Sequence, residues 1–235
     1  MKKIILLLPV LFVWPLLLVA QDDSGQSTGG GVTGEDQLVE EKSRFQKTWV
    51  HPEADFSKYD KLYIWDGVFE FRDVGPAKRS RSTMVMSHQR DFGIRESDQE
   101  KFKQVVGDAF MKEIEKSKRF TVVDTLSADT LFVRGAVLDI VSHVPPEMAG
   151  RSDVYLASSG EATLIIDLID AETGVIQARV AERRAIQPPG GGRIDAFSQP
   201  TNSVTVWSDV GRWARSSAAR LRTELDKAQK ADSAN

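Results

Sequence analysis

Two carboxylates stand inside otherwise apolar, β-branched runs, Asp139 within 131–141 and Asp167 within 162–170. Burial in such a run raises a carboxyl's pKa unless a cation meets it. Two such groups can serve as general acid and base in a hydrolysis. Arg134 and Arg179 lie in the same or the neighbouring run, and a carboxylate that meets an arginine is a structural ion pair instead. The other chemistry-bearing residues are scattered. His51, His88 and His143 have no helical HxxxH or HExxH spacing. Ser158-Ser159-Gly160 lacks the strand–elbow–helix setting of a serine nucleophile. The glycine-rich stretch 188–193 has no lysine and hydroxyl following it and opens no helix, so it is a connection and not a phosphate cradle. The absence of cysteine excludes disulfides, thiol catalysis and cysteine-bound metal. No catalytic residue, cofactor or metal is expected.

The elements that would position these groups centre on a hairpin. Residues 162–170 and 175–182 read as two strands around Ala171-Glu172-Thr173-Gly174. Gly174 supplies φ > 0, and the Asp170 carboxylate can cap the turn's N–H groups. A four-residue loop sets Ile169 opposite Ile176 and Ile165 opposite Val180. Strands are also expected over 61–71, with a bulge at Asp66-Gly67, and over 120–123 and 131–141. A short edge strand is read at 84–86. A helix over 97–117 starts at a capping box, Ser97 with Glu100, and carries Phe102, Val105, Val106, Ala109, Phe110 and Ile114 on one stripe. A second helix, 203–229, carries Trp207, Val210, Ala214, Ala218, Leu221 and Leu225. The fold class is α/β in the mixed α+β sense. It is a mixed sheet of about five strands in the order β-α-β-β-β-β-α, flanked by two long helices. Strands 131–141 and 162–170 are apolar on both faces, which predicts cover on both sides.

Upstream, Lys2 and Lys3 precede an unbroken apolar stretch, 4–20, with Pro9 and Pro15 in it. This is the pattern of a secretory signal peptide, or of a retained anchor. Residues 21–44 form a flexible linker. Its Gly/Ser/Thr-rich part, 21–37, has a random-coil reach on the order of 20 Å. The aromatics Trp49, Phe56 and Tyr59 read as a clasp that packs the lead-in segment on the sheet. Residues 45–230 are one domain, and 231–235 a disordered tail. The formal net charge is −3; taking Lys2 and Lys3 from the 31 basic residues leaves 29 against 34 acidic, so −5. Such a chain has no overall pull toward nucleic acid or anionic lipid. The cluster Lys78, Arg79, Arg81 reads as a solvated loop, or as a contact for an anionic partner.

Short motifs resemble a group of bacterial envelope domains. They are Ala54-Asp55-Phe56-Ser57-Lys58-Tyr59-Asp60-Lys61-Leu62, Arg119-Phe120-Thr121-Val122-Val123, Ala128-Asp129-Thr130-Leu131 and Asp167-Leu168-Ile169-Asp170-Ala171-Glu172-Thr173-Gly174. The group includes the amino-terminal domain of the Tol-system periplasmic protein, the curli-secretion lipoprotein and the lipoprotein activators of penicillin-binding proteins. The chain is also similar to an uncharacterised family of predicted bacterial lipoproteins. Leu18-Val19-Ala20-Gln21 resembles a lipobox in which Gln21 replaces the lipidated cysteine. The resemblance implies a periplasmic or envelope location and transfers no catalytic residue.

Two functions follow as expectations. One is a non-catalytic module that binds an envelope protein or cell-wall component, touching membrane only through an uncleaved amino-terminal segment. The other is a small envelope hydrolase using Asp139 and Asp167. For the binder, Trp213 and Arg220 are the candidate interaction residues. On a helical wheel Trp213 lies off the Trp207–Leu225 stripe, near Arg220, and tryptophan and arginine are enriched at interface hot spots.

Overall fold

The computed structural model describes residues 35–65, 67–75, 91–145, 155–189 and 200–232. The expected edge strand 84–86, the cluster Lys78, Arg79, Arg81, the histidine His88, the leader and most of the glycine loop lie outside them.

Three long strands make the middle of the sheet: β6 (Thr130–Ser142), β7 (Gly160–Asp170) and β8 (Ile176–Ile186), paired antiparallel in sequence. The turn between β7 and β8 forms as its residues demand. Gly174 sits at φ 73°, and Asp170 Oδ1 accepts from the N–H groups of Glu172 (2.8 Å) and Thr173 (3.0 Å). Ile169 faces Ile176, but the expected pairing of Ile165 with Val180 is off by one residue. Ala178 faces Leu168, so Gln177 is extra, and beyond this bulge Val180 faces Ile166 while Ile165 faces Ala181. Gly160 starts β7 because a Cβ there would run into the Val141 carbonyl oxygen.

Five shorter strands complete the sheet: β1 (Val39–Glu40), β2 (Lys47–Val50), β3 (Lys61–Ile64), β4 (Val68–Phe71) and β5 (Thr121–Val123). The order is β1-β2-β8-β7-β6-β3-β5, with β4 also on β6. The contacts of β3 with β5 and β6, and of β4 with β6, are parallel. The result is a mixed α+β fold with eight strands, so the expected count of five and the expected order are corrected. Two causes account for the difference. The strands β1 and β2 are too short to show periodicity, and only Thr48 in them is buried. The strand expected over 61–71 is broken: Ile64 pairs with Val133 and Val68 with Ala136, four steps against three. Asp66, where a bulge was expected, lies outside the described residues.

Helix α1 (Glu96–Ile114) begins one residue before Ser97, and its N-cap, Arg95, makes no side-chain cap bond. The Ser97–Glu100 box is therefore not the start signal; Glu96 and Asp98 put negative charge in the first turn instead. Helix α2 (Ser203–Asp232) starts after Asn202, whose Oδ1 accepts from Val204 N (2.9 Å) and Thr205 N (3.1 Å). The two helices pack on each other and on the same sheet face. Phe102, Val106 and Ile114 of α1 and Val210, Ala218 and Leu221 of α2 join one core with Val133, Leu164, Ile166 and Val180. Cover on both faces was expected; among the described residues no helix lies on the other face, where arginine and carboxylate side chains take that place. No described helix is long and apolar enough to cross a membrane.

The lead-in segment is tied down by a polar knot. Tyr59 OH and Lys58 Nζ each donate to Asp170 Oδ2 at 2.7 Å, and Phe56 and Tyr59 are buried. Two of the sequence motifs, 54–62 and 167–174, thus meet at one carboxylate.

Candidate functional site

Alternation along β6, β7 and β8 sends Val133, Leu164, Ile166 and Val180 to the helices, and Arg134, Asp167 and Arg179 to the open face. There Arg134, Asp167 and Arg179 stand directly opposite one another across three strands. Arg179 Nε lies 2.5 Å from Asp167 Oδ1 and its Nη2 3.0 Å from Oδ2, a bidentate grip; Arg134 Nη2 adds 2.7 Å to Oδ2. Arg179 also reaches Glu35 at 2.8 Å. Burial pushes the Asp167 carboxyl up, but its bonds to Arg179 and Arg134 outweigh this and hold it below the usual carboxylate range.

Asp139 lies further along β6, at an irregularity in the β6–β7 pairing, with φ 53°. Arg72 takes it in both hands, Nε to Oδ1 and Nη2 to Oδ2 at 2.6 Å each, and Arg183 Nη1 reaches Oδ2 at 2.6 Å. These arginines hold the Asp139 carboxyl well below its ordinary range. Arg183 also bonds Thr163 at 3.0 Å and pairs with Glu161, and Arg72 pairs with Asp91.

The two carboxylates do not form a catalytic pair. Asp167 faces Arg134 and Leu138 faces Thr163, so Asp139 is four to five residues away, about 15 Å along the strands. Paired glycosidase carboxylates stand about 5–9.5 Å apart. Both are ionised and each already accepts from two arginines, so neither has a proton to give. The other sequence candidates are also separate. His51 Nε2 is 2.7 Å from Gln37 Oε1, while His143 is buried with Nε2 3.6 Å from Asp91 Oδ1. Ser158 donates to the Gly160 carbonyl at 2.6 Å, and Ser159 donates to Asp209 at 3.3 Å. No metal-binding group of three or more His, Cys, Asp or Glu occurs among the described residues.

Trp213 and Arg220 are not where an exposed contact would need them. Trp213 is 7% exposed and belongs to the core. The expected stripe is buried from Val210 through Ala214, Ala218 and Leu221 to Leu225, and Trp213 and Ser217 widen it on one flank. Trp207 is half-buried, with the Lys101 ammonium 4.8 Å from its ring centre. Arg220 turns inward to Glu182 and Ser217, its guanidinium 5.3 Å from the Phe45 ring, and burial lowers its pKa.

Among the described residues the exposed tryptophan is Trp65, at 44%, just after β3. Its ring lies 6.4 Å from that of Phe132, which lies 5.7 Å from Tyr63. This aromatic strip borders the Arg134 row. The sequence marked Trp65 only as one apolar residue of a strand; the signal that it differs is the break in pairing just after it. The same break opens a cavity of about 520 Å³ between the sheet and α1. Val133, Val137, Leu164 and Ile166 form its floor, Val106, Phe110 and Met111 its roof, and Trp65, Gly67, Gly107 and Asp108 its exposed rim.

No family model matches the chain, and no curated protein is similar to it at a significant level. Among solved structures it is similar to a Xanthomonas campestris protein of the DUF330 family (12% identity, 83% of this chain and 97% of that one, TM-score 0.41). It is similar also to a neuraminyllactose-binding hemagglutinin homolog from Helicobacter pylori (12%, 76% and 92%, TM-score 0.37). A third is PelC from Paraburkholderia phytofirmans, solved as a dodecamer (8%, 78% and 95%, TM-score 0.30). At these scores the likeness lends nothing to the reading of the site.

Proposed function

We propose that the chain is a non-catalytic binding module of the bacterial envelope. It is exported by residues 1–20, its single domain is tethered by the stretch ahead of Glu35, and its partner is an envelope protein. The observation that carries the non-catalytic part is the double arginine capture of both Asp139 and Asp167, about 15 Å apart. A hydrolase on these residues would need one of them protonated near neutral pH. The leader pattern and the linker support export.

The docking surface is the strip Tyr63, Phe132 and Trp65 with Arg134 beside it. Tryptophan, tyrosine and arginine dominate interface hot spots, and these four project from a rigid sheet. Arg134 offers part of its guanidinium to solvent, with a 40% exposed side chain, so the partner is expected to present a carboxylate beside an apolar patch.

The test is site-specific photo-cross-linking in the host from position 65, read by mass spectrometry, with the same probe at Val204 as control. One envelope protein captured from 65 and lost on Arg134→Ala supports the reading. Identical capture from both positions, or turnover of cell-wall material by the purified protein, overturns it. Sequencing the mature amino terminus tests export: a cytosolic product that keeps Met1 refutes it.

A further inference from the structure

The cavity between α1 and the sheet is held open by residues the fold does not require. Gly135 is in the middle of β6 and Gly107 in the middle of α1, and both line the cavity. Glycine weakens a strand or helix interior. Neither has the positive φ that would demand glycine. A Cβ built on either meets nothing within 4 Å. Alanine or valine at 135 would fill space and stiffen the strand, so the two glycines make room at a cost in stability.

The room is apolar and shaped for one kind of guest. Its floor and roof are aliphatic and aromatic carbon, and its polar side chains, Lys103 and Asp108, both belong to α1. A volume of about 520 Å³ falls within the range of small-molecule sites, roughly 300–1,000 Å³. It is about three times an engineered apolar cavity of about 150 Å³ that takes up benzene. A lining without polar groups in its depth cannot orient a sugar or a peptide, whose own donors and acceptors would go unpaired. It accepts a hydrocarbon chain at no such cost. At the rim, Lys103 carries its charge on a long apolar stem, which suits the junction of an apolar tail and a charged head. Lys103 Nζ is held by Glu100 at 2.7 Å on the surface, a weak pair that a carboxylate can replace.

We propose that this cavity binds one linear acyl chain, the tail inserted between α1 and β6 and the head left at Lys103. The chain can come from a free fatty acid or from a lysophospholipid, which share the tail and differ in the head. The site lies on the helix face and the proposed partner surface on the open face, so either can fail alone.

The test is displacement of a fluorescent fatty-acid analogue from the full-length protein by saturated fatty acids from octanoate to palmitate. Affinity is expected to rise about three- to fourfold per added methylene and then to level off once the cavity is full. Gly135→Val should weaken binding at least tenfold while raising the melting temperature. Gly107→Leu, which blocks from the helix wall, should weaken it likewise and keeps the test open if the strand variant misfolds. Lysopalmitoyl-phosphatidylcholine binding as tightly as palmitate assigns the site to the tail alone; palmitate binding more tightly, with the difference lost in Lys103→Ala, assigns a free fatty acid. Absence of saturable binding, or affinities unchanged in both glycine variants, overturns the proposal.

Discussion

Replacing Asp167 by alanine separates a structural carboxylate from a catalytic one. Its side chain is 6% exposed and holds Arg179 bidentately and Arg134 through Nη2. Hydrogen bonds to charged groups are worth about 1.5–3 kcal/mol each, and removing one partner of a buried pair costs about 3–5 kcal/mol. Arg134 is 40% exposed, so solvent screens its share, and Arg179 keeps Glu35 as a second partner. The loss should therefore fall at the lower end, about 3 kcal/mol, or roughly 6–12 °C in melting temperature for a domain of this size. Asp167→Asn should lose less, since the amide oxygen still accepts one bond. Because the folded pKa is depressed, the stabilisation is present above the usual carboxylate pKa near 4 and is lost as pH falls through the folded value. The difference between wild type and Asp167→Asn should thus shrink on acidification below about pH 4. Thermal melts followed by circular dichroism from pH 7 to pH 2.5 measure both effects. A loss under about 1 kcal/mol, or a carboxyl carbon of Asp167 that titrates above about pH 5 by NMR, would refute the ion-pair reading and restore the acid–base one.

Four further outcomes follow. Tyr59→Phe should cost about 1.5–3 kcal/mol by removing the buried hydroxyl bond to Asp170, and limited proteolysis should then cut first within the lead-in segment. Glu182→Ala should cost about 3–5 kcal/mol because it strands the inward-facing Arg220; converting both residues to apolar ones should recover most of that loss in a denaturant titration. Gly174→Ala should lower stability by about 1–2 kcal/mol, since its φ of 73° is left-handed. At Asp139, also left-handed but 41% exposed on its side chain, Asn should stay within about 1 kcal/mol of wild type in urea, whereas Val should cost about 2 kcal/mol or more.

The elements legible in the sequence are those whose burial is periodic. The three central strands and both helices follow from runs such as 131–141 and from the spacing of Phe102, Val106 and Ala109. The Asp170 cap and Gly174 turn were legible because each needs a particular residue type. What was not legible has local causes. Strands of two to four residues such as β1 and β2 exist through pairing with a neighbour, not through their own pattern. One bulge at Gln177 moved Val180 from Ile165 to Ile166. The burial of Trp213 beside the expected stripe of α2 depends on its partners, since a ridge through 210, 213, 217 and 221 is as helical as one through 210, 214, 218 and 221. The apolar look of 162–170 on both faces predicted two covered faces, but Asp167 was the exception that mattered. With Arg134 and Arg179 opposite, it lets that face of the sheet be closed by ion pairs instead of a helix.

This division of the sheet also explains where binding can occur. On the helix face the core is continuous except beneath α1, and on the open face arginines and carboxylates pair, leaving uncovered the aromatic strip that ends in Trp65. Both exceptions border the step from β3 to β4. There the chain takes four residues to pass three on β6, Trp65 follows Ile64 onto the open face, and a Cβ on Gly135 would meet only space on the helix face. Trp65→Ala should therefore remove the aromatic anchor and leave the apolar site. Gly135→Val should remove only the second. The pair of variants assigns any phenotype to the surface or to the cavity.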